Sequence, residues 1–85
     1  MKVFQYKIKD ELGIHARPAG LLTKQAKEFE SEIIIEHGTA QADATRLMAV
    51  MAMGIKCGDT ITLKISGKDE DAASAGMEKF LSENL

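Results

Sequence analysis

Hydrophobic and polar positions change their period several times along this chain. Phe4, Tyr6 and Ile8 alternate with Gln5, Lys7 and Lys9, the period-two signature of a strand with one buried face. From Ala16 to about Phe29 the period lengthens, and Ala19, Leu22, Ala26 and Phe29 fall on one helical face. Glu30-Ser31-Glu32 breaks that helix. The β-branched run Ile33-Ile34-Ile35 is too short for a helix and reads as a strand. His37-Gly38-Thr39 has turn chemistry, so Ala40 to Asp43 is the predicted second arm of a hairpin. Arg46 to Ile55 reads as a helix with Gly54 at its C-terminal cap. Cys57-Gly58-Asp59 is a turn, and Ile61, Leu63 and Ile65 then alternate with Thr60, Thr62, Lys64 and Ser66 as a strand. Asp69 stands where it can cap a last helix, with Glu70 and Asp71 in the first turn. Ala73, Met77, Phe80 and Leu81 form the apolar face of that helix. The predicted order is βαββαβα. Alternating strands leave one sheet face wet. The expected class is therefore α+β, with three helices on one side of a four-stranded antiparallel sheet.

Two stretches carry candidate chemistry. In Leu12-Gly13-Ile14-His15-Ala16-Arg17-Pro18-Ala19, Gly13 supplies a permissive turn and Pro18 suits the first turn of a helix. His15 then sits at a helix mouth, beside free backbone N–H groups and the positive end of the dipole. Such a mouth binds anions, phosphate above all. A histidine there can accept a phosphoryl group whose oxygens are held by the helix N-terminus and Arg17; the alternative is that His15 only caps the helix. Arg17, Lys24 and Lys27 lie on the polar side of the same helix with Gly20 and Glu28. No carboxylate near His15 in sequence is read as its partner. In the second stretch, nothing from Leu47 to Ile55 is charged or strongly polar. Ala49, Val50 and Met53 form one stripe; Leu47, Met48 and Met51 form another. A small domain can bury one against its sheet but hardly both. The second stripe is expected to be an exposed docking patch, for which methionine is well suited. The other possibility is a helix that is core all round.

Composition narrows the picture. Eighty-five residues allow one domain, taken as 1–85. A domain this small buries roughly 60% of its unfolded surface. It has no room for a deep active site, so a partner is expected to complete the chemistry. The formal net charge of −2 argues against nucleic-acid binding. Cys57 is the only cysteine, which fits a reducing cytoplasm. It reads as a bystander in its turn, and His37 as an exposed turn residue. The first residues show neither a signal-peptide core nor a membrane span. The chain is expected to be cytoplasmic, monomeric and free of metal and cofactor.

With both stretches in place, the sequence resembles HPr, the histidine-containing phosphocarrier family of the bacterial phosphoenolpyruvate:sugar phosphotransferase system. The resemblance runs through Gly13-Ile14-His15-Ala16-Arg17-Pro18-Ala19, Leu47-Met48-Ala49-Val50-Met51, Gly54-Ile55 and Gly58. It implies an open-faced β-sandwich. It implies a stoichiometric carrier, not an enzyme with its own turnover: His15 takes a phosphoryl group from phosphorylated enzyme I and passes it to a histidine of a sugar-specific enzyme IIA. In the family, Nδ1 carries the phosphate, and the residue matching Arg17 helps hold it, with Ala16 also placed at the phosphate. The family's docking surface maps onto Ala16, Arg17, Gly20, Lys24, Lys27, Leu47, Met48 and Met51.

One departure stands out. Many low-GC Gram-positive relatives carry a regulatory serine just before the second helix. Here the position is Arg46, preceded by Thr45. No regulatory serine phosphorylation is therefore expected, and Arg46 joins the docking residues as a steering charge. The rival to phosphoryl carriage is an HPr-like regulatory or interaction module that docks partners without carrying phosphate. A small enzyme with its own substrate ranks below both.

Overall fold

A computed structural model describes all 85 residues, Met1–Leu85. The elements are β1 (Lys2–Lys7), α1 (Ala16–Ala26), β2 (Glu32–His37), β3 (Ala40–Asp43), α2 (Leu47–Ala52), β4 (Thr60–Ser66) and α3 (Glu70–Asn84). The strands form one antiparallel sheet in the order β1-β4-β2-β3. The βαββαβα order and the four-stranded antiparallel sheet are as the alternation predicts.

Period two decides which side of the sheet is covered. Ile33 and Ile35 of β2 and Ile61, Leu63 and Ile65 of β4 are fully buried. They meet Ala19, Leu22 and Ala26 of α1, Val50 of α2, and Ala73, Met77, Phe80 and Leu81 of α3. Burying each large aliphatic side chain contributes roughly 1.5–3 kcal/mol, so this one layer carries the fold. Phe4 and Tyr6 are only partly buried although their alternation is right. The reason is that β1 is an edge strand, and the core closes fully only at Ile8.

Three expectations are corrected. Helix α1 stops at Ala26, before Phe29. Phe29 still packs on the core, but from the turn that follows the helix. Its ring lies over Gly76 of α3, where a Cβ would come within 2.6 Å of Phe29 Cζ. A helix-interior glycine costs about 1 kcal/mol relative to alanine, and here it makes room for an aromatic ring. Helix α2 is shorter than its apolar run: Arg46 is the N-cap, and Met53 ends the helix ahead of Gly54, which has φ +64°.

The third correction concerns Asp69. It is the N-cap residue of α3, but its side chain makes no capping bond. Instead the carboxylate accepts hydrogen bonds from the backbone N–H of Glu30 and Ser31 and from the Ser31 hydroxyl. It thereby ties the α1–β2 turn to the start of α3. The Ser31 hydroxyl, then the Glu30 N–H, hold the Asp69 carboxyl below its ordinary value of 3.8. A depressed folded value means that this stabilisation is full above the unfolded value, about 3.9, and is lost as pH falls through the folded one. Thermal melts of the parent and Asp69→Ala should therefore differ most near neutral pH and converge in strong acid. A difference that stays constant down to the lowest pH would show that the charge of Asp69 is not what matters.

Candidate functional site

The loop that carries His15 is clamped before the helix begins. Ile8 N–H donates to Asp59 O, and Gly58 N–H donates back to Ile8 O, both at 2.8 Å. Lys9 and Asp10 N–H both donate to the backbone oxygen of Leu85, at 2.6 and 2.9 Å. Gly13 N–H closes a turn on Asp10 O at 2.9 Å, and Ile14 N–H reaches Ile55 O at 3.1 Å. Gly13 has φ +67°, and a Cβ on it would lie 2.4 Å from Ile55 O and 2.6 Å from Lys56 Cα. Only glycine fits this close passage without a shift.

His15 follows as the N-cap residue of α1, in extended conformation (φ −99°, ψ −175°). Its carbonyl accepts the first helical bond, from Ala19 N–H at 2.9 Å. Its imidazole makes no capping bond. The ring is thus not used to stabilise the helix, contrary to the purely structural alternative. At the helix mouth the N–H groups of Ala16 and Arg17 have no intrahelical partner, and Pro18 has no N–H to leave unpaired. These two donors and the positive helix end face the same mouth that presents the histidine.

The imidazole is about two-fifths exposed and borders a shallow cleft of about 220 Å³. The cleft is lined by Asp10, His15, Arg17, Pro18, Leu21 and Asn84. Asp10 Oδ1 lies 3.9 Å from His15 Nε2. The folded chain therefore does place a carboxylate beside the ring, which the sequence reading did not see. Leu21 and Asn84 were also missed. Leu21 follows the basic face of α1 and is exposed, whereas Asn84 arrives from the far end of the chain on α3.

The candidate docking residues lie on two packed helices. On α1, Pro18, Ala19, Leu22, Thr23 and Ala26 face inward. Ala16, Arg17 and Lys24 are exposed and Gly20 is half-exposed; Lys27, the C-cap residue, is exposed as well. Helix α2 packs against α1. Only Val50 of α2 is buried, with Ala49 and Met53 partly so. Leu47, Met48 and Met51 are 38%, 75% and 37% exposed. The helix is therefore not core all round. Arg46 is exposed at its N-cap.

Thr45 does not offer a free hydroxyl. Its Oγ1 donates to Asp43 Oδ1 at 2.6 Å, and its N–H donates to the same oxygen at 2.8 Å. The Thr45 hydroxyl is the leading cause that lowers the Asp43 carboxyl from its ordinary value. His37 Nε2 lies 3.2 Å from Asp59 Oδ2, linking the β2–β3 hairpin to the turn before β4. Cys57 is exposed in that turn and makes only a long Sγ contact, 3.7 Å, to Lys9 O. No helix is long and apolar enough to cross a membrane.

Comparison with known proteins converges on the same elements. A family model described as the PTS HPr component phosphorylation site matches residues 2–83. The phosphocarrier protein HPr of Mycoplasma genitalium is 39% identical over 99% of this chain and 97% of its own. A solved histidine-containing phosphocarrier protein of Mycoplasma superposes with a TM-score of 0.93 at 38% identity, covering 96% of this chain and 93% of that one. Crh of Bacillus subtilis, a catabolite-repression relative solved as a swapped dimer, superposes with a TM-score of 0.78 at 26% identity, covering 94% and 92%. A histidine at an open helix mouth, on this fold and with this sequence match from strand β1 to helix α3, makes the chain a member of the HPr family of the phosphotransferase system.

Proposed function

We propose that the chain, acting as one unit over residues 1–85, carries phosphoryl groups from phosphorylated enzyme I to a sugar-specific enzyme IIA. The observation that carries this reading is His15 itself. Its ring is exposed, unused as a cap, and set at a helix mouth with two free N–H groups and Arg17 beside it. A neutral ring nitrogen with a lone pair is the nucleophile. Nδ1, the nitrogen other than the one nearest Asp10, attacks phosphorus as the donor's bond to phosphorus breaks. The Ala16 and Arg17 N–H groups and the Arg17 guanidinium hold the phosphoryl oxygens. The open cleft supports a carrier rather than an enzyme with its own turnover, since a partner must supply the remaining walls. The chain acts as a monomer in this reading. Its place is the cytoplasm, where the family's relay runs.

Docking divides between steering and burial. Arg17, Lys24, Lys27 and Arg46 attract acidic partners, and association slows as salt rises. Leu47, Met48 and Met51 form the desolvated centre, with Ala16 and Gly20 allowing close approach. A relay experiment tests the whole reading. With labelled phosphoenolpyruvate, enzyme I and an enzyme IIA, the label should pass through this chain as acid-labile, base-stable phosphate. A chain that binds both partners but never holds label would support the docking module instead.

Arg46 has no hydroxyl, and the Thr45 hydroxyl is held by Asp43. The carrier should therefore escape serine-kinase control. Incubation with the bifunctional HPr kinase and ATP should leave the chain unlabelled, while Arg46→Ser should become a substrate. Stoichiometric phosphate on Thr45 that slows transfer would overturn this, since added charge there opposes an acidic partner.

A further inference from the structure

The Asp10 carboxylate is the one charged group of the cleft that the transfer scheme leaves without a role. Its position is fixed at three points. Asp10 N–H donates to Leu85 O at 2.9 Å, Asp10 O accepts from Gly13 N–H at 2.9 Å, and Asp10 Oδ1 accepts from Leu12 N–H at 2.9 Å. That Oδ1 stands 3.9 Å from His15 Nε2, with the His15 side chain about two-fifths and the Asp10 side chain about one-third exposed. The separation is too long for a direct hydrogen bond and short enough for the carboxylate charge to act on the ring. Arg17 follows His15 into the first turn of α1 and lines the same cleft.

We infer that Asp10 is the positioning residue of the transfer reaction: its carboxylate holds a proton on His15 Nε2 and directs phosphoryl transfer to and from Nδ1. This rests on the carrier reading of His15. In the first step the Nδ1 lone pair forms the new N–P bond, and the donor leaves with the electron pair of the bond it loses. The proton on Nε2 stays in place, so the ring gains a positive charge, and the Asp10 carboxylate balances it. In the onward step the acceptor's lone pair attacks phosphorus, the P–Nδ1 bond breaks, and its electron pair returns to Nδ1. The ring then leaves neutral, with its Nε2 proton. Had that proton been lost, the ring would have to leave as an imidazolate anion, a far poorer leaving group. The fixed carboxylate thus helps most at the moment the ring carries charge, as preorganised electrostatics do.

Two substitutions separate this role from a structural one. Asp10→Asn keeps an oxygen for the Leu12 N–H and removes only the charge. Asp10→Ala removes both the turn bond and the charge. Single-turnover transfer from phosphorylated enzyme I and onward to enzyme IIA should be slowed in both variants. The drop in Asp10→Asn should be up to roughly fivefold, the size of an exposed charge pair, with partner affinity unchanged and the gap narrowing in high salt. In the phosphorylated protein, the 15N resonance of His15 Nε2 should report a protonated nitrogen in the parent and a smaller protonated fraction in Asp10→Asn. If Asp10→Asn transfers as fast as the parent and only Asp10→Ala is slow, Asp10 merely shapes the turn and the inference is wrong. An unchanged Nε2 resonance would also overturn it. If His15 of the parent takes no phosphate at all, it is the carrier reading that fails, an outcome the same labelling makes visible.

Discussion

Gly13→Ala should melt well below the parent and slow phosphorylation of His15. The glycine has φ +67°, and a Cβ there would press on Ile55 O at 2.4 Å and on Lys56 Cα at 2.6 Å. Both atoms are backbone, so neither can swing aside. A left-handed conformation costs a residue with a side chain about 1–2 kcal/mol. Forcing extra volume into a packed place costs about 1–3 kcal/mol more. For a domain of this size the sum lowers the melting midpoint on the order of 10–25 °C. The loop can relieve the overlap only by lifting off the 55–56 segment, which breaks the Ile14 N–H bond to Ile55 O and moves the next residue, His15. Gly38→Ala is the control. Gly38 has φ +62° but nothing within 4 Å of its Cβ position, so it should pay only the conformational cost. Calorimetry on the two variants separates the terms. Equal melting midpoints would show that the close passage at Gly13 does not hold the site.

Met48→Asp should leave the fold intact and weaken transfer strongly. Met48 is 75% exposed, so an aspartate there meets water in the free protein. In a complex the same position would lose apolar contact and set a like charge against an acidic partner. Residues at the centre of an interface cost about 2 kcal/mol or more when changed, so affinity for enzyme I should fall roughly thirtyfold. Lys24→Gln makes the useful contrast: rim charges act mainly on the association rate and its salt dependence. Normal affinity in Met48→Asp would remove the exposed stripe of α2 from the interface.

What the sequence made legible follows from which physics is local. Period two, period 3.6, β-branched runs and turn residues are local, and they place all seven elements and the buried faces of β4 and α3. The split of α2 into a buried and an exposed stripe was also legible, because one sheet face can cover only one side of a helix. What escaped depends on contacts distant in sequence. The spacing of Phe29 from Ala26 fits a helix, but its partner is Gly76, whose missing side chain admits the ring from a turn. The position of Asp69 predicts a cap, but Ser31 and Glu30 compete for its carboxylate from 38 and 39 residues away. Asp10 and Asn84 joined the His15 cleft only through the clamp of the 8–14 loop onto Leu85 and the 55–59 segment. A carboxylate five positions before a histidine carries no signal until such a clamp is known. A hydroxyl beside a helix start likewise gives no sign that Asp43 already holds it.

The central claim is that His15 alone accepts the phosphoryl group, and mass-spectrometric mapping tests it most directly. The parent and His15→Ala are each exposed to enzyme I and phosphoenolpyruvate, then digested under basic conditions that preserve phosphohistidine. The account predicts a single phosphate on His15 in the parent and none anywhere in His15→Ala. Full labelling of His15→Ala, or phosphate on His37 in the parent, would contradict it.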